Sequence, residues 1–220
     1  MPISGDTVFV ATRNAGKLHE FQLAFSSLGL KVKSLADFPD IPDVVEDGDT
    51  FLDNALKKAK TVAEALQVPV LADDSGLCVD RLNGAPGVYS ARYAGERGND
   101  QANNEKLLQE LKKLPAWDTT SQSQTERISE HWLSPAQFVC SLVLYDPKTK
   151  QAYEAMGTVE GFITDHPRGE NGFGYDPLFY VPAYDCTMAQ LSTEEKQRIS
   201  HRGRALDVLQ ARLSSSAFSE

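Results

Sequence analysis

Val68-Pro69-Val70-Leu71-Ala72-Asp73-Asp74-Ser75-Gly76 is the stretch from which the fold of this chain is read. Its apolar run has the length and β-branching of a buried strand, and it closes on two adjacent carboxylates and a Ser-Gly turn. In α/β proteins, ligands sit beyond the carboxyl ends of such strands. Neighbouring residues on an extended segment point to opposite faces, so Asp73 and Asp74 are expected to have different tasks. Two acids side by side repel unless a cation or a proton offsets them. The pair therefore reads first as a divalent-metal site and second as a solvated turn.

Outward from this strand, strand and helix patterns alternate. Residues 7–11 predict a strand that runs into Thr12-Arg13-Asn14-Ala15-Gly16-Lys17. A helix follows with Leu18, Phe21, Phe25 and Leu28 on its apolar face and Gly29 as its stop. Residues 30–34 predict a second strand, and an acidic loop follows through Pro39, Pro42 and Glu46-Asp47-Gly48-Asp49. A helix over 50–66 buries Leu52, Leu56, Ala59, Ala63 and Leu66. Beyond the carboxylate strand come a long ordered loop over 82–98 and a helix over 99–114. The polar segment 115–135 reads as a surface insertion. Strands over 137–145 and 152–161 are joined across Asp146-Pro147-Lys148, the second an expected antiparallel neighbour of the first. A Gly-rich loop over 168–177, a short strand over 178–181 and helices over 192–198 and 200–213 complete the pattern. The predicted fold class is α/β: a mixed central sheet flanked by helices, with two lobes and a central active-site cleft, in a single domain over 1–220.

The chain carries a net charge of −9, which argues against a nucleic-acid partner because phosphate-backbone affinity needs a broad basic surface. An apolar share of 41% leaves enough for a sizeable core. No run approaches the roughly 18 apolar residues of a membrane span, and the first residues lack the pattern of a secretion signal. Cys78, Cys140 and Cys186 are widely separated and read as buried thiols of a reducing compartment, the cytoplasm by default.

Several segments carry candidate chemistry. The turn Thr12 to Lys17 sits between a strand and a helix, where free N–H groups attract phosphate; Lys17 adds charge and Asn14 an amide. It is not a P-loop, because the first glycine is missing and Leu18 follows the lysine. Asn54 and Lys58 share a helix face, and Glu46, Asp53 and Asp74 are placed to converge on one hard cation, Mg2+ or Mn2+. In Gly172-Phe173-Gly174-Tyr175-Asp176-Pro177, glycines flanking an aromatic let a flat ligand approach, and Asp176 can accept from its N–H edge. Ser200-His201-Arg202-Gly203 opens the last helix one turn after Lys196, a set suited to an anion or a carbonyl. Together these features describe a nucleoside polyphosphate: phosphates, a metal, and a base held at the far end.

The series Thr12-x-Asn14-x-x-Lys17, Thr50-Phe51-x-x-Asn54-Ala55-x-x-Lys58-Ala59, Ala72-Asp73-Asp74-Ser75-Gly76, Gly84-Ala85-Pro86-Gly87-Val88-Tyr89-Ser90-Ala91-Arg92, Gly172-Phe173-Gly174-Tyr175-Asp176-Pro177 and Ser200-His201-Arg202-Gly203 resembles the inosine/xanthosine triphosphate pyrophosphatase family. The resemblance covers nearly the whole chain. It implies a Mg2+-dependent homodimer that hydrolyses ITP, dITP and XTP to the monophosphate and pyrophosphate, with no nucleic acid or membrane as partner. It makes Asp74 the catalytic acid that activates water and a metal ligand, with Glu46 the second metal ligand. It assigns Thr12, Arg13, Asn14, Ala15, Gly16 and Lys17, helped by Lys58, to the triphosphate, and Ser75 to substrate contact. Phe173, Gly174, Tyr175, Asp176, Lys196, His201 and Arg202 would form the base pocket that reads a 6-keto group. The chain departs from the family pattern at Asp53, where glutamate is usual, and in a longer segment over 121–133.

Overall fold

The computed structural model describes residues 6–26, 28–95, 98–117 and 132–216. Among them, seven strands hydrogen-bond in the order β2-β1-β3-β4-β5-β6-β7. The strands are β1 (Thr7–Val10), β2 (Lys31–Ser34), β3 (Val70–Val79), β4 (Trp132–Asp146), β5 (Gln151–Thr164), β6 (Phe179–Val181) and β7 (Cys186–Thr187). β1 is parallel to β2 and to β3, whereas β6 is antiparallel to β5 and to β7, so the sheet is mixed as expected. The helices are α1 (Ala15–Ser26), α2 (Phe51–Leu66), α3 (Asp100–Lys112), α4 (Thr193–Ile199) and α5 (His201–Ser216). Among the described residues no helix is long and apolar enough to cross a membrane. The chain divides into two compact units, one of Met1–Ser75, Val139–Thr158 and Gln197–Glu220, the other of Gly76–Phe138 and Val159–Lys196.

In the first unit, the period of two along each strand sorts side chains onto two covered faces. Val8, Val10, Leu71, Cys140, Leu142 and Leu144 pack on Phe21 and Phe25 of α1 and on Ala205, Leu206, Leu209 and Leu213 of α5. Ala11, Val70, Ala72, Val143 and Tyr145 pack on Ala55, Ala59, Val62 and Ala63 of α2. Continuing the alternation, Asp73 falls on the α1/α5 face with Leu71, and Asp74 on the α2 face with Val70 and Ala72.

Three expectations are corrected here. β3 does not stop at the acid pair: it runs on through Ser75 and Gly76 to Val79, so both aspartates are mid-strand. Gly76 is there for close packing rather than for a turn, since an added Cβ would lie 2.3 Å from the Ser90 hydroxyl oxygen and 2.6 Å from the Gly87 carbonyl oxygen. The buried stripe of α2 is Asn54, Ala55, Ala59, Val62 and Ala63, leaving Leu52 36% exposed. Small residues bring this helix close to the sheet, and Asn54 is drawn inward by polar partners described below. On α1 the buried residues are Glu20, Phe21 and Phe25, whereas Leu28 lies past the helix end and is 51% exposed. Thr50 caps α2 by accepting the Asp53 N–H at 3.1 Å, as its capping chemistry predicts.

In the second unit, β4 begins at Trp132 rather than at 137, so it takes up the end of the expected surface insertion. Trp132 stacks on Phe162 with ring centroids 4.2 Å apart and leans on Tyr180 at 5.0 Å. Arg81 ties down the same strand, donating to the Leu133 carbonyl oxygen at 2.6 Å. The remainder of that insertion, 118–131, lies outside the described residues.

Helix α5 reaches the sheet through Gly157, where an added Cβ would stand 2.2 Å from the His201 carbonyl oxygen and 2.4 Å from the Ala205 nitrogen. Neither backbone atom can swing away. Gly157→Ala is therefore expected to destabilise by about 1–3 kcal/mol, read as a lower urea midpoint at unchanged m-value.

Candidate active site

Asp73 is 1% exposed and fully charged, a costly combination that the surrounding cations offset. Arg202 of α5 donates to Asp73 Oδ2 through Nη2 at 2.9 Å and through Nε at 3.3 Å, and Lys17 of α1 lies 3.0 Å from Oδ1. Burial alone would raise the Asp73 carboxyl, but Lys17, Arg202 and Lys58 together reverse this and hold it far below its ordinary value of 3.8. Arg202 is 1% exposed and also binds Glu20 of α1 and, at 2.8 Å, the Ser75 hydroxyl. Ser75 in turn donates to Asp73 Oδ2 at 3.0 Å. The Arg202 guanidinium thus belongs to a buried ion-pair network within the first unit. Among the described residues the hydrogen-bond partners of Arg202 are Asp73, Glu20 and Ser75. Cys140, 3.8 Å from Asp73, has a thiol pushed up by burial and by that carboxylate, so it is inert.

Asp74, one residue on, has the opposite environment. Its Oδ2 accepts from Asn54 Nδ2 at 3.0 Å, and Lys58 Nζ stands 3.8 Å from its Oδ1. Asn54 Oδ1 accepts the Gly48 N–H at 2.8 Å, which fixes the amide so that its NH2 faces the acid. Burial raises the Asp74 carboxyl and Glu46 repulsion adds to this, against the pull of Lys58, Lys17 and Asn54; the net direction is up. Lys58 also binds Glu46 at 2.5 Å, and despite burial its ammonium is held charged by Asp73, Asp74 and Glu46. One ammonium thus bridges Glu46 and Asp74.

This all-oxygen pair fits Mg2+, which commonly takes one or two protein carboxylates and fills its remaining positions with water and phosphate oxygens. Among the described residues there is no group of three or more His, Cys, Asp or Glu suited to a metal, so substrate and water would supply the rest. Asp53 belongs elsewhere, accepting the Thr50 hydroxyl at 2.6 Å in the cap of α2.

At the turn from β1 into α1, the buried Thr12 hydroxyl oxygen accepts the Asn14 N–H at 3.1 Å, and Asn14 Oδ1 accepts the Lys17 N–H at 2.9 Å. Asn14 is therefore the N-cap. Leu18 N–H makes the first intrahelical bond, to the Asn14 carbonyl at 2.9 Å, so the helix itself offers no acceptor to the N–H groups of Ala15 and Gly16. Arg13 turns away from this end, donating to Asp43 at 2.8 Å, to the Leu35 carbonyl oxygen at 2.8 Å and to the Ile41 carbonyl oxygen at 2.6 Å. Arg13 thereby pins the proline-bearing loop.

Phe173, Gly174, Tyr175, Asp176 and Lys196 lie in the second unit, whereas His201, which is buried, and Arg202 lie in the first. Lys196 Nζ donates to Asp176 Oδ2 at 2.6 Å and sits 4.6 Å from the centre of the Phe173 ring. The Tyr175 hydroxyl donates to the Ser90 carbonyl oxygen at 2.9 Å, so its hydroxyl is anchored in protein. Two participants went unread in the sequence. Asn54 was seen only as the face-mate of Lys58. Glu20 sits on the apolar side of α1 beside Phe21, and a carboxylate at such a position requires a buried cation, which was the available signal.

A mixed α/β sheet that carries a lysine at a helix start, one acid neutralised by buried cations and a neighbouring acid with a raised carboxyl suits a nucleotide-binding hydrolase. Residues 8–212 match the model of the Ham1 family, and the chain belongs to that family. A dITP/XTP pyrophosphatase of Shouchella clausii is 51% identical over 200 residues, 91% of this chain and 92% of that protein. One of Geobacter sulfurreducens is 50% identical, covering 93% of this chain and 94% of that protein. The solved Ham1 protein of Staphylococcus aureus superposes with a TM-score of 0.75 at 44% identity, covering 96% and 99% of the two chains. That of Coxiella burnetii gives 0.77 at 38%, covering 95% and 98%.

Removing one partner from a buried ion pair strands the other. Arg202→Ala is expected to cost about 3–5 kcal/mol in chemical denaturation by leaving Glu20 and Asp73 uncompensated. The Asp73 carboxyl is depressed below 3.8, so its contribution is complete above that pH and is lost as pH falls through it toward the folded value. The urea midpoint of the wild type should therefore drop on acidification below about pH 3.8, and Asp73→Asn should show a shallower slope there.

Proposed function

We propose that this chain hydrolyses non-standard purine nucleoside triphosphates (dITP, XTP and ITP) to the monophosphate and pyrophosphate, clearing them from the nucleotide pool. The observation that carries this reading is the contrast between adjacent acids. Asp73 is locked to Arg202 and Lys17 in ion pairs of 2.9 and 3.0 Å, whereas Asp74 accepts from the Asn54 amide at 3.0 Å and the Ser75 N–H at 3.2 Å, has Lys58 no nearer than 3.8 Å, and has a raised carboxyl. A raised, positioned carboxylate is what a general base requires.

In the proposed mechanism the triphosphate binds at the start of α1. The N–H groups of Ala15 and Gly16 point out of the helix end, and Lys17 supplies charge while keeping its bond to Asp73. Lys58 moves its charge from the two carboxylates toward phosphate. Asp74, oriented by Asn54, takes a proton from the water that attacks the α-phosphorus, and pyrophosphate leaves against Lys17. A Mg2+ ion held by Asp74 and Glu46 would lower the pKa of water and spread developing charge. Positioning and electrostatics then supply most of the barrier reduction.

At the base, the Lys196 ammonium is a donor that pairs with a 6-keto oxygen and not with a 6-amino group. Donor facing donor is what penalises adenine. The reading includes a homodimer, which light scattering would report as twice the chain mass, and a cytoplasmic location, with which three free thiols agree.

Product analysis tests the reading directly. With Mg2+, dITP should give dIMP and a phosphate signal that appears only after inorganic pyrophosphatase is added. EDTA should abolish turnover, and dITP should be preferred over dATP by about a hundredfold in kcat/KM. Release of orthophosphate without the coupling enzyme, or slow dITP turnover beside fast dTTP turnover, would contradict the assignment.

A further inference from the structure

In the second unit the aromatic–glycine loop is held from two sides. From within, Asp176 Oδ2 accepts the Phe173 N–H at 2.8 Å and the Lys196 ammonium at 2.6 Å. From outside, the start of α3 grips Gly174. Asp100 Oδ2 accepts the Gly174 N–H at 2.7 Å, and Asn104 Nδ2 donates to the Gly174 carbonyl oxygen at 2.8 Å. Asp100 and Asn104 are one turn apart on one face of α3, so a single helix fixes both polar groups of a single residue. Gly174 has φ +62°, a conformation that a side chain would strain, so the backbone is free to meet the helix there.

The helix is itself well anchored. Asn99 caps it by accepting the Ala102 N–H at 3.0 Å, Asn103 Oδ1 accepts the Ala94 N–H at 2.7 Å, and Leu107 and Leu111 are buried. It is thus a fixed reference for the loop. Asn104 Oδ1 is buried without a hydrogen-bond partner among the described residues. An unpaired buried carbonyl is unfavourable, and the bond that this side chain makes is the one from its NH2 group to Gly174.

We propose that Asp100 and Asn104 are positioning residues that set the place of the Phe173 ring, and with it the preference for a 6-keto purine. The proposal rests on the hydrolase reading above. Release of Gly174 lets the Phe173 ring lose its relation to Lys196, now 4.6 Å away. The phosphate-binding and proton-transfer residues are all in the first unit and keep their own partners. Base affinity and base choice therefore respond more than the chemical step.

The test assays Asp100→Ala, Asn104→Ala and the double variant with dITP and dATP, with Asp100→Asn as the conservative variant that keeps an acceptor for Gly174. KM for dITP should rise about tenfold in the double variant, kcat should change less than about threefold, and the preference over dATP should narrow about tenfold. Asp100→Asn should keep the wild-type KM. Amide exchange over 172–176 should quicken while α3 and the sheet keep their protection. Unchanged KM and preference in the double variant overturn the proposal. So does a parallel loss of kcat and of protection throughout the unit, which would make the two residues merely structural. A wild type that leaves dITP intact contradicts the hydrolase reading instead, and unchanged exchange over 172–176 would then still refute the clamp.

Discussion

Asp73 lies with its carboxylate between Arg202 at 2.9 Å and Lys17 at 3.0 Å, almost without access to water. That buried charge cluster, completed by Glu20 and the Ser75 hydroxyl, joins α1, β3 and α5. Its existence depends on the alternation of side chains along β3, which sends one acid to the α1/α5 face and the next to the α2 face. Two carboxylates adjacent in sequence therefore escape the mutual repulsion that would otherwise force a proton onto one of them. The strand does by geometry what the composition alone makes costly.

Once Asp73 is neutralised, the neighbouring elements acquire definite parts. Lys17 is placed in the first turn of α1, where its charge lies beside the peptide N–H groups of a helix start. Asn54 relays the position of the acidic loop, through Gly48, to Asp74. Lys58 places one ammonium between Glu46 and Asp74. In the second unit a different logic holds: a flexible glycine loop is given a fixed shape by bonds from Asp176 and α3. Membership of the Ham1 family places these devices in a lineage whose relatives are named dITP/XTP pyrophosphatases.

Much of this was legible in residues 68–76, because alternation is a property of any extended segment and needs no tertiary information. Helix starts at Thr50 and Asn14 were likewise readable, since capping is local chemistry. What escaped was set by distant partners. The strand continues past the acids because Gly76 packs against Ser90 and Gly87, a contact no local pattern announces. The ion pairs of Arg202 could not be read locally, because its partners Glu20 and Asp73 lie 182 and 129 residues away in sequence. The hydrogen bonds of Arg13 escaped for a similar reason, being made to a loop some 22 to 30 residues on. The stripe of α2 shifted because small and polar residues are its fully buried ones, with Leu56 and Leu66 packed at the edge and Leu52 exposed.

The division of labour between the two acids is tested most directly by unfolding midpoint and dITP turnover measured side by side for Asp73→Asn and Asp74→Asn at pH 7. The account predicts that Asp73→Asn lowers the midpoint, since it leaves Arg202 buried with less charge around it. Asp74→Asn should hold or raise the midpoint, because its charge is disfavoured in the fold, while reducing turnover by orders of magnitude. Turnover surviving in Asp74→Asn, or a loss of stability there as large as in Asp73→Asn, would contradict it.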